Sequence, residues 1–235
     1  MKFQFKNFLI TQEKSAMKIG TDGVLLGAWA PVSHHPQSVL DIGAGTGLVA
    51  LMIAQRTPAE QIDAIEIEEG AYEECVDNFE NSPWSDRLFC FHAGLDEFIE
   101  EPEDEYDLIV SNPPFYSAEF SSGDQARDRA RFASAMPFDQ LAEAAGLLLS
   151  QEGKFAIILP FEEEEKFIRM ALEHDLHLEK LTRVRGNVES EVKRSLICFS
   201  RIPSEPQIDE MAIEISRHEY TREYTALTRD FYLKM

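Results

Sequence analysis

The sequence predicts an α/β fold built on a mostly parallel, doubly wound sheet. Short apolar runs alternate with helical patterns along most of the chain, the rhythm of strands joined by crossover helices. Seven runs are strand-like. The first ends in a compact glycine turn that opens a helix, and the fourth is cut off by Asn112-Pro113-Pro114-Phe115. The last two have no helix between them and are expected to be antiparallel neighbours at one edge.

Taken in order, the N-terminal segment mixes aromatics with lysines, and Thr21 or Asp22 suits the N-cap of a helix over 24–30, stopped by Pro31. Val39-Leu40-Asp41-Ile42 is the first strand, and 48–55 is a continuous apolar helix. A second strand spans 62–67, a helix 71–81 ends near Pro83, and a third strand spans 87–92. An acidic run leads into the fourth strand at 107–110, whose two prolines cannot extend a ladder or a helix. The irregular stretch 116–136 is long for a connection and is read as functional or mobile. A helix over 138–149 closes on Gly153, a strand covers 154–159, and an acidic-faced helix covers 161–174. Strands at 178–184 and 192–200 and an aromatic tail, 220–235, complete the chain.

At 235 residues, with 44% hydrophobic and 28% charged residues, this fits one medium soluble domain. We divide it into an N-terminal segment 1–37, a core 38–202 and a tail 203–235. No apolar run is long enough for a membrane span and the N-terminus is too short and charged for a signal peptide, so a cytoplasmic protein is expected. The three cysteines form no CxxC pair and have apolar neighbours, and the histidines lack ligands at metal spacing, so no metal is expected. The net charge of −21 argues against an all-over basic nucleic-acid binder. The charge is uneven, however: residues 1–20 carry a net +3 and residues 180–201 a net +4, so a basic face on an acidic body is open.

Asp41-Ile42-Gly43-Ala44-Gly45-Thr46-Gly47 joins a strand to a helix. Glycines let the backbone approach a ligand closely, and the helix start adds unpaired N–H groups. The turn is neither the GxGxxG of dinucleotide binders nor a phosphate loop. It suits the zwitterionic amino-acid end of a ligand, with Asp41 toward the ammonium and the loop amides toward the carboxylate. Glu66 ends the second strand 19 residues beyond Gly47, where an acid binds ribose hydroxyls in nucleotide folds. Together these features point to an adenosine-bearing cofactor. Asn112 falls beside it across the switch point. Its side-chain carbonyl and the Pro113 carbonyl are two acceptors for the N–H bonds of a planar amine, which would aim the nitrogen lone pair at a methyl group. Phe115 would stack on the base. Orientation and charge stabilisation are the main catalytic effects of such a site, and a base would have to be flipped out to enter it.

DIGAGTG, an acid-terminated second strand and NPPF resemble the class I S-adenosylmethionine-dependent N-methyltransferases. KIGTDGVLLGAWAP, Ser82 to Trp84, DLIVSNPPF and the terminal YTALTRDFYLKM are similar to the tRNA (adenine-N6) methyltransferases that act on valine tRNA, over nearly the whole chain. The resemblance implies a Rossmann-like class I fold with a seven-stranded sheet and an antiparallel edge strand. It also implies S-adenosyl-L-methionine as cofactor and N6-methylation of the adenosine immediately 3′ of the anticodon, position 37. By position it implies that Gly43, Ala44, Gly45 and Gly47 shape the cofactor loop, with Asp41 at the methionine end and Glu66 on the ribose. Lys18, Thr21 and Asp22 fall in the block that covers the cofactor, and Asn112, Pro113, Pro114 and Phe115 are the catalytic tetrapeptide.

One position departs from this pattern: Gly94 stands where an acid usually contacts the adenine amine, so either Asp96 or a backbone carbonyl takes that place. Arg127, Arg129 and Arg131, and Lys193 with Arg194 on the late hairpin, are candidate tRNA phosphate contacts, with a solvated surface as the alternative reading. No obligate protein partner is evident. The same acceptor pair would serve a protein glutamine amide or a guanine amine of ribosomal RNA, and an inactive cofactor-binding scaffold is the third alternative.

Overall fold

Strands β3 (Ser38–Ile42), β4 (Gln61–Glu66) and β5 (Leu88–His92) step outward in parallel from the centre of the sheet, joined by helices α2 (Leu48–Arg56) and α3 (Glu69–Glu80). The chain then returns past a short helix α4 (Leu95–Ile99) to place β6 (Tyr106–Ser111) on the other side of β3, followed after helix α5 (Phe138–Leu148) by β7 (Leu149–Pro160). That reversal between β3 and β6 is the switch point at which open α/β sheets bind ligands. The structure is a computed structural model and describes residues 1–15, 18–100, 105–114 and 136–234.

A 3₁₀ turn (Phe161–Glu163) and helix α6 (Glu164–Glu173) lead to β8 (His177–Asn187) and β9 (Val192–Ser200). These pair antiparallel as expected, and β9 inserts between β7 and β8. The sheet does not stop there. β10 (Gln207–Ser216) adds in parallel to β8, and β11 (Glu219–Tyr220) closes an antiparallel edge before helix α7 (Arg222–Thr228). The order is β11-β10-β8-β9-β7-β6-β3-β4-β5, so the sheet has nine strands among the described residues rather than seven, and the β8–β9 pair lies inside the edge rather than on it. β10 escaped notice because Met211 is its one buried residue, too weak a pattern to separate it from a tail.

Side chains alternate across the sheet. Val39, Leu108, Val110, Ala156 and Ile158 join the core under α2 and the first helix, α1 (Thr21–Trp29). Leu40, Ile42, Ile109, Phe155 and Ile157 join the core under α5 and α6. Because both faces are covered, the central strands read as largely apolar runs rather than strict alternations. A small hairpin, β1 (Lys2–Gln4) with β2 (Leu9–Thr11), lies apart from the sheet. Its Phe5 ring packs 5.8 Å from that of Tyr232, which joins the two ends of the chain. Helix α1 starts at Thr21 with Gly20 as its N-cap and no side-chain cap, earlier than the expected 24–30. No helix among the described residues is long and apolar enough to cross a membrane.

Candidate functional site

Ile42 and Ser111 are register partners at the carboxyl ends of β3 and β6. The fully buried Ser111 hydroxyl donates to the Ile42 carbonyl at 2.8 Å. One residue further on, Gly43 and Asn112 leave the sheet side by side. The pairing of these two strands therefore brings the glycine turn and the Asn-Pro-Pro stop to one place. Asn112 and Pro114 are half-buried and Pro113 is buried. Phe115, Arg127, Arg129 and Arg131 lie outside the described residues.

Gly43, Gly45 and Gly47 have φ of 74°, 57° and 76°, the left-handed region that glycine adopts at no steric cost. The N–H groups of Gly43 and Ala44 both donate to the Ile65 carbonyl, at 3.0 and 3.1 Å, which folds the turn toward β4. Two of these glycines have different surroundings. A Cβ on Gly47 would lie 2.5 Å from the Phe79 ring and 2.9 Å from Cys75 Sγ, whereas one on Gly45 would meet nothing within 4 Å. Packing against α3 demands the first. The second leaves open space over its backbone, where a ligand can approach.

Two acids frame the turn from opposite sides. Asp41 is 1% exposed and accepts the Ala50 N–H at 3.0 Å, inside the first turn of α2. Burial pushes its carboxyl up to about 7; the bond from Ala50 opposes the shift and the charge of Glu66 adds to it. Asp41 thus supports the turn from beneath rather than presenting a carboxylate at its surface. Glu66 is half-buried, with one carboxylate oxygen accepting the Gly45 N–H at 2.8 Å and the other the Glu68 N–H at 2.9 Å. Asp96 lies against the departing position: a Cβ on Gly94 would lie 2.6 Å from Asp96 Oδ1. The carboxylate of an exposed residue occupies the space that a side chain at 94 would take.

The first turn of α1 closes over this arrangement. A Cβ on Gly23 would be 3.0 Å from Leu48 Cδ2 and 3.7 Å from Asn112 Nδ2. Asp22 accepts from Arg194 Nε at 2.8 Å, so two residues singled out separately are partners across the carboxyl edge. Both side chains are about one-third exposed (28% and 35%), and such a pair fixes geometry more than it adds stability. Lys18 does not point to the turn: its ammonium donates to the carbonyls of Gln12 and Ser15, each at 2.9 Å, and ties down its own segment. Thr21 is exposed and borders a cavity of about 660 Å³ with Phe3, Gly186, Tyr220 and Tyr232. Neither the glycine turn nor Asn112 lines that cavity. Lys193 is exposed at the start of β9.

Sequence reasoning missed the brace behind the site. Buried Glu74 on α3 accepts N–H bonds from Glu13, from Lys14 at 3.1 Å and from Ser15 at 2.9 Å. One turn on, Asn78 donates to the carbonyls of Thr11 (3.0 Å) and Thr46 (2.9 Å). These two side chains join the N-terminal segment to the glycine turn. The signal was present: Glu74 and Asn78 stand four apart beside Cys75 and Phe79, polar residues on the buried face of an amphipathic helix.

Comparison with known proteins gives concordant results. A family model described as the methyltransferase small domain matches residues 19–166. The tRNA1(Val) (adenine(37)-N6)-methyltransferase of Flavobacterium johnsoniae is 65% identical over 99% of this chain and 100% of its own length. The enzyme of the same name from Parabacteroides distasonis is 41% identical over 99% of this chain and 98% of its own. Among solved structures, a protein from Agrobacterium tumefaciens described as a predicted O-methyltransferase is similar with a TM-score of 0.68 at 17% identity, covering 89% of this chain and 96% of that one. An O-methyltransferase family protein from Burkholderia thailandensis is similar with a TM-score of 0.55 at 11% identity, covering 77% and 56%. These two likenesses concern the fold alone.

Proposed function

The chain belongs to the methyltransferase small-domain family and to the tRNA1(Val) (adenine(37)-N6)-methyltransferases within it, and from that premise we propose that it methylates N6 of adenosine 37 in valine tRNA. The observation that carries this reading is the adjacency of Asn112-Pro113-Pro114 and the three-glycine turn at paired strand ends.

The residues at the turn fit S-adenosylmethionine. Gly45 leaves its backbone open, Glu66 offers a carboxylate at the end of β4 for the ribose hydroxyls, and Asp96 stands ready for the adenine amine. When bound, this cofactor supplies a methyl group on a positively charged sulfur. Asp41, held on α2, keeps the turn in place and adds an acid beneath its amino-acid end.

On the substrate side, the Asn112 side-chain carbonyl and the Pro113 carbonyl accept the two N–H bonds of the adenine amine. This draws the nitrogen toward tetrahedral geometry and holds its lone pair toward the methyl donor. Once methylated, the amine would carry a positive charge and give its surplus proton to water, so no shifted general base is required for the attack. Gly23 lies against Asn112, and its neighbour Asp22 holds Arg194 nearby. A cytoplasmic location follows from a tRNA substrate.

The test is to incubate the purified protein with labelled S-adenosylmethionine and a valine tRNA transcript. One N6-methyladenosine at position 37 is expected. Label in a protein glutamine or in ribosomal RNA, with none in tRNA, would overturn the assignment. Asn112→Ala is expected to lower turnover by roughly a thousandfold, as removal of one transition-state hydrogen-bonding group does, with cofactor affinity changed less than about threefold. Equal loss of both would refute the role given to Asn112.

A further inference from the structure

Beyond the pocket, the carboxyl edge carries a second built arrangement. Phe161 follows β7 directly and is 40% exposed. The Arg183 guanidinium lies 5.6 Å from its ring centroid. That guanidinium is held by Glu164, a carboxylate only 3% exposed, through Arg183 Nε at 3.1 and 3.2 Å and Nη2 at 2.7 Å. Ser195 Oγ donates to the same carboxylate at 2.5 Å. Burying a carboxylate is costly unless it is paired and hydrogen-bonded. Here three of its bonds hold one planar cation beside one exposed aromatic ring, and the Ser195 bond steadies the carboxylate itself.

A chain of contacts joins this pair to Asn112. Gly23 abuts Asn112, Asp22 binds Arg194, Arg194 pairs with Pro160, and Phe161 is the next residue. Along β7, Ile157 pairs with Ser111 beside Asn112, and the four further residues to Phe161 span roughly 13 Å of extended chain. Exposed Lys193 stands beside Arg194. An aromatic face, a fixed guanidinium and neighbouring cations are the combination that holds unpaired bases and their phosphates.

We propose that Phe161 and Arg183 form a stacking platform for an unpaired nucleotide flanking the methylated adenosine, with Glu164 as the residue that positions Arg183. This rests on the tRNA reading above. A base flipped into the pocket leaves its neighbours in the loop unstacked, and the platform receives one of them.

Removing Arg183 would strand Glu164 as a buried unpaired charge, so the test is made at Phe161. Wild-type, Phe161→Ala and Phe161→Trp enzymes are compared on a valine anticodon stem–loop RNA carrying 2-aminopurine in place of the base on either side of position 37. Phe161→Ala is expected to raise KM for the RNA roughly tenfold, the size of one lost stacking contact, with S-adenosylmethionine affinity within about twofold. It also abolishes the emission change seen on binding at one flanking position, and Phe161→Trp restores both. Unchanged KM, an emission change independent of residue 161, or a parallel loss of cofactor affinity would overturn the platform. If the wild type methylates neither the stem–loop nor full-length valine tRNA, the tRNA reading itself fails. If it methylates them and Phe161→Ala matches it, only the platform fails.

Discussion

Gly45 and Gly47 share a left-handed backbone but not their surroundings, and substitution separates the two. Gly47→Ala meets both an unfavourable φ and the Phe79 ring at 2.5 Å. It is expected to cost at least about 2 kcal/mol and to lower Tm by several degrees in a thermal melt. Gly45→Ala meets no neighbour and is expected to cost about 1–2 kcal/mol, with its larger effect on S-adenosylmethionine affinity. Equal Tm losses would contradict the distinction.

Asp41 makes a pH-dependent prediction. Its carboxyl titrates at about 7 in the folded chain against ~3.9 unfolded, so the folded state binds the proton more tightly. The resulting stability is fully present below about pH 4 and is lost as pH rises through 7. Asp41→Asn keeps an acceptor for Ala50 without the charge. Its Tm is expected to gain on the wild type between pH 4 and 7 and then hold a constant lead; parallel curves would refute the assignment.

At the scale of elements, the strands were the most legible because both faces of the central sheet are apolar. The strand at 192–200 appears with the bounds that its sequence predicts. What stayed hidden had little burial or depended on long-range bonds. β10 buries only Met211 and is placed by its ladder with β8, while α1 begins three residues before its expected start because Gly20 serves as N-cap. The turn and Asn112 were visible as motifs. The Asp22–Arg194 pair and the inward turn of Asp41 depend on tertiary contacts, which a motif does not encode. Helix α3 belongs to the same lesson, since Glu74 binds three backbone N–H groups of another segment. Glu74→Gln leaves one carbonyl for those donors and is expected to cost about 1–3 kcal/mol. Hydrogen exchange should quicken at residues 13–15 before it does in the central strands. Unchanged protection there would mean that α3 does not brace the segment.

For the whole molecule, a net charge of −21 has to coexist with a polyanionic substrate. At the carboxyl edge the candidates for phosphate contact are Arg183, paired with Glu164, Arg194, paired with Asp22, and exposed Lys193. Binding of valine tRNA is expected to weaken with salt, with a slope of log K against log salt of about −0.7 for each loop phosphate contacted; a flat response would count against the basic edge. The central claim, that Asn112 and the glycine turn together methylate one adenosine, is tested most directly by nucleoside mass spectrometry. The sample is the anticodon loop of valine tRNA from cells lacking this protein. The account predicts unmodified adenosine at position 37, converted to N6-methyladenosine when the wild-type chain is restored but not when Asn112→Ala is. N6-methyladenosine persisting at position 37 without the protein would contradict it.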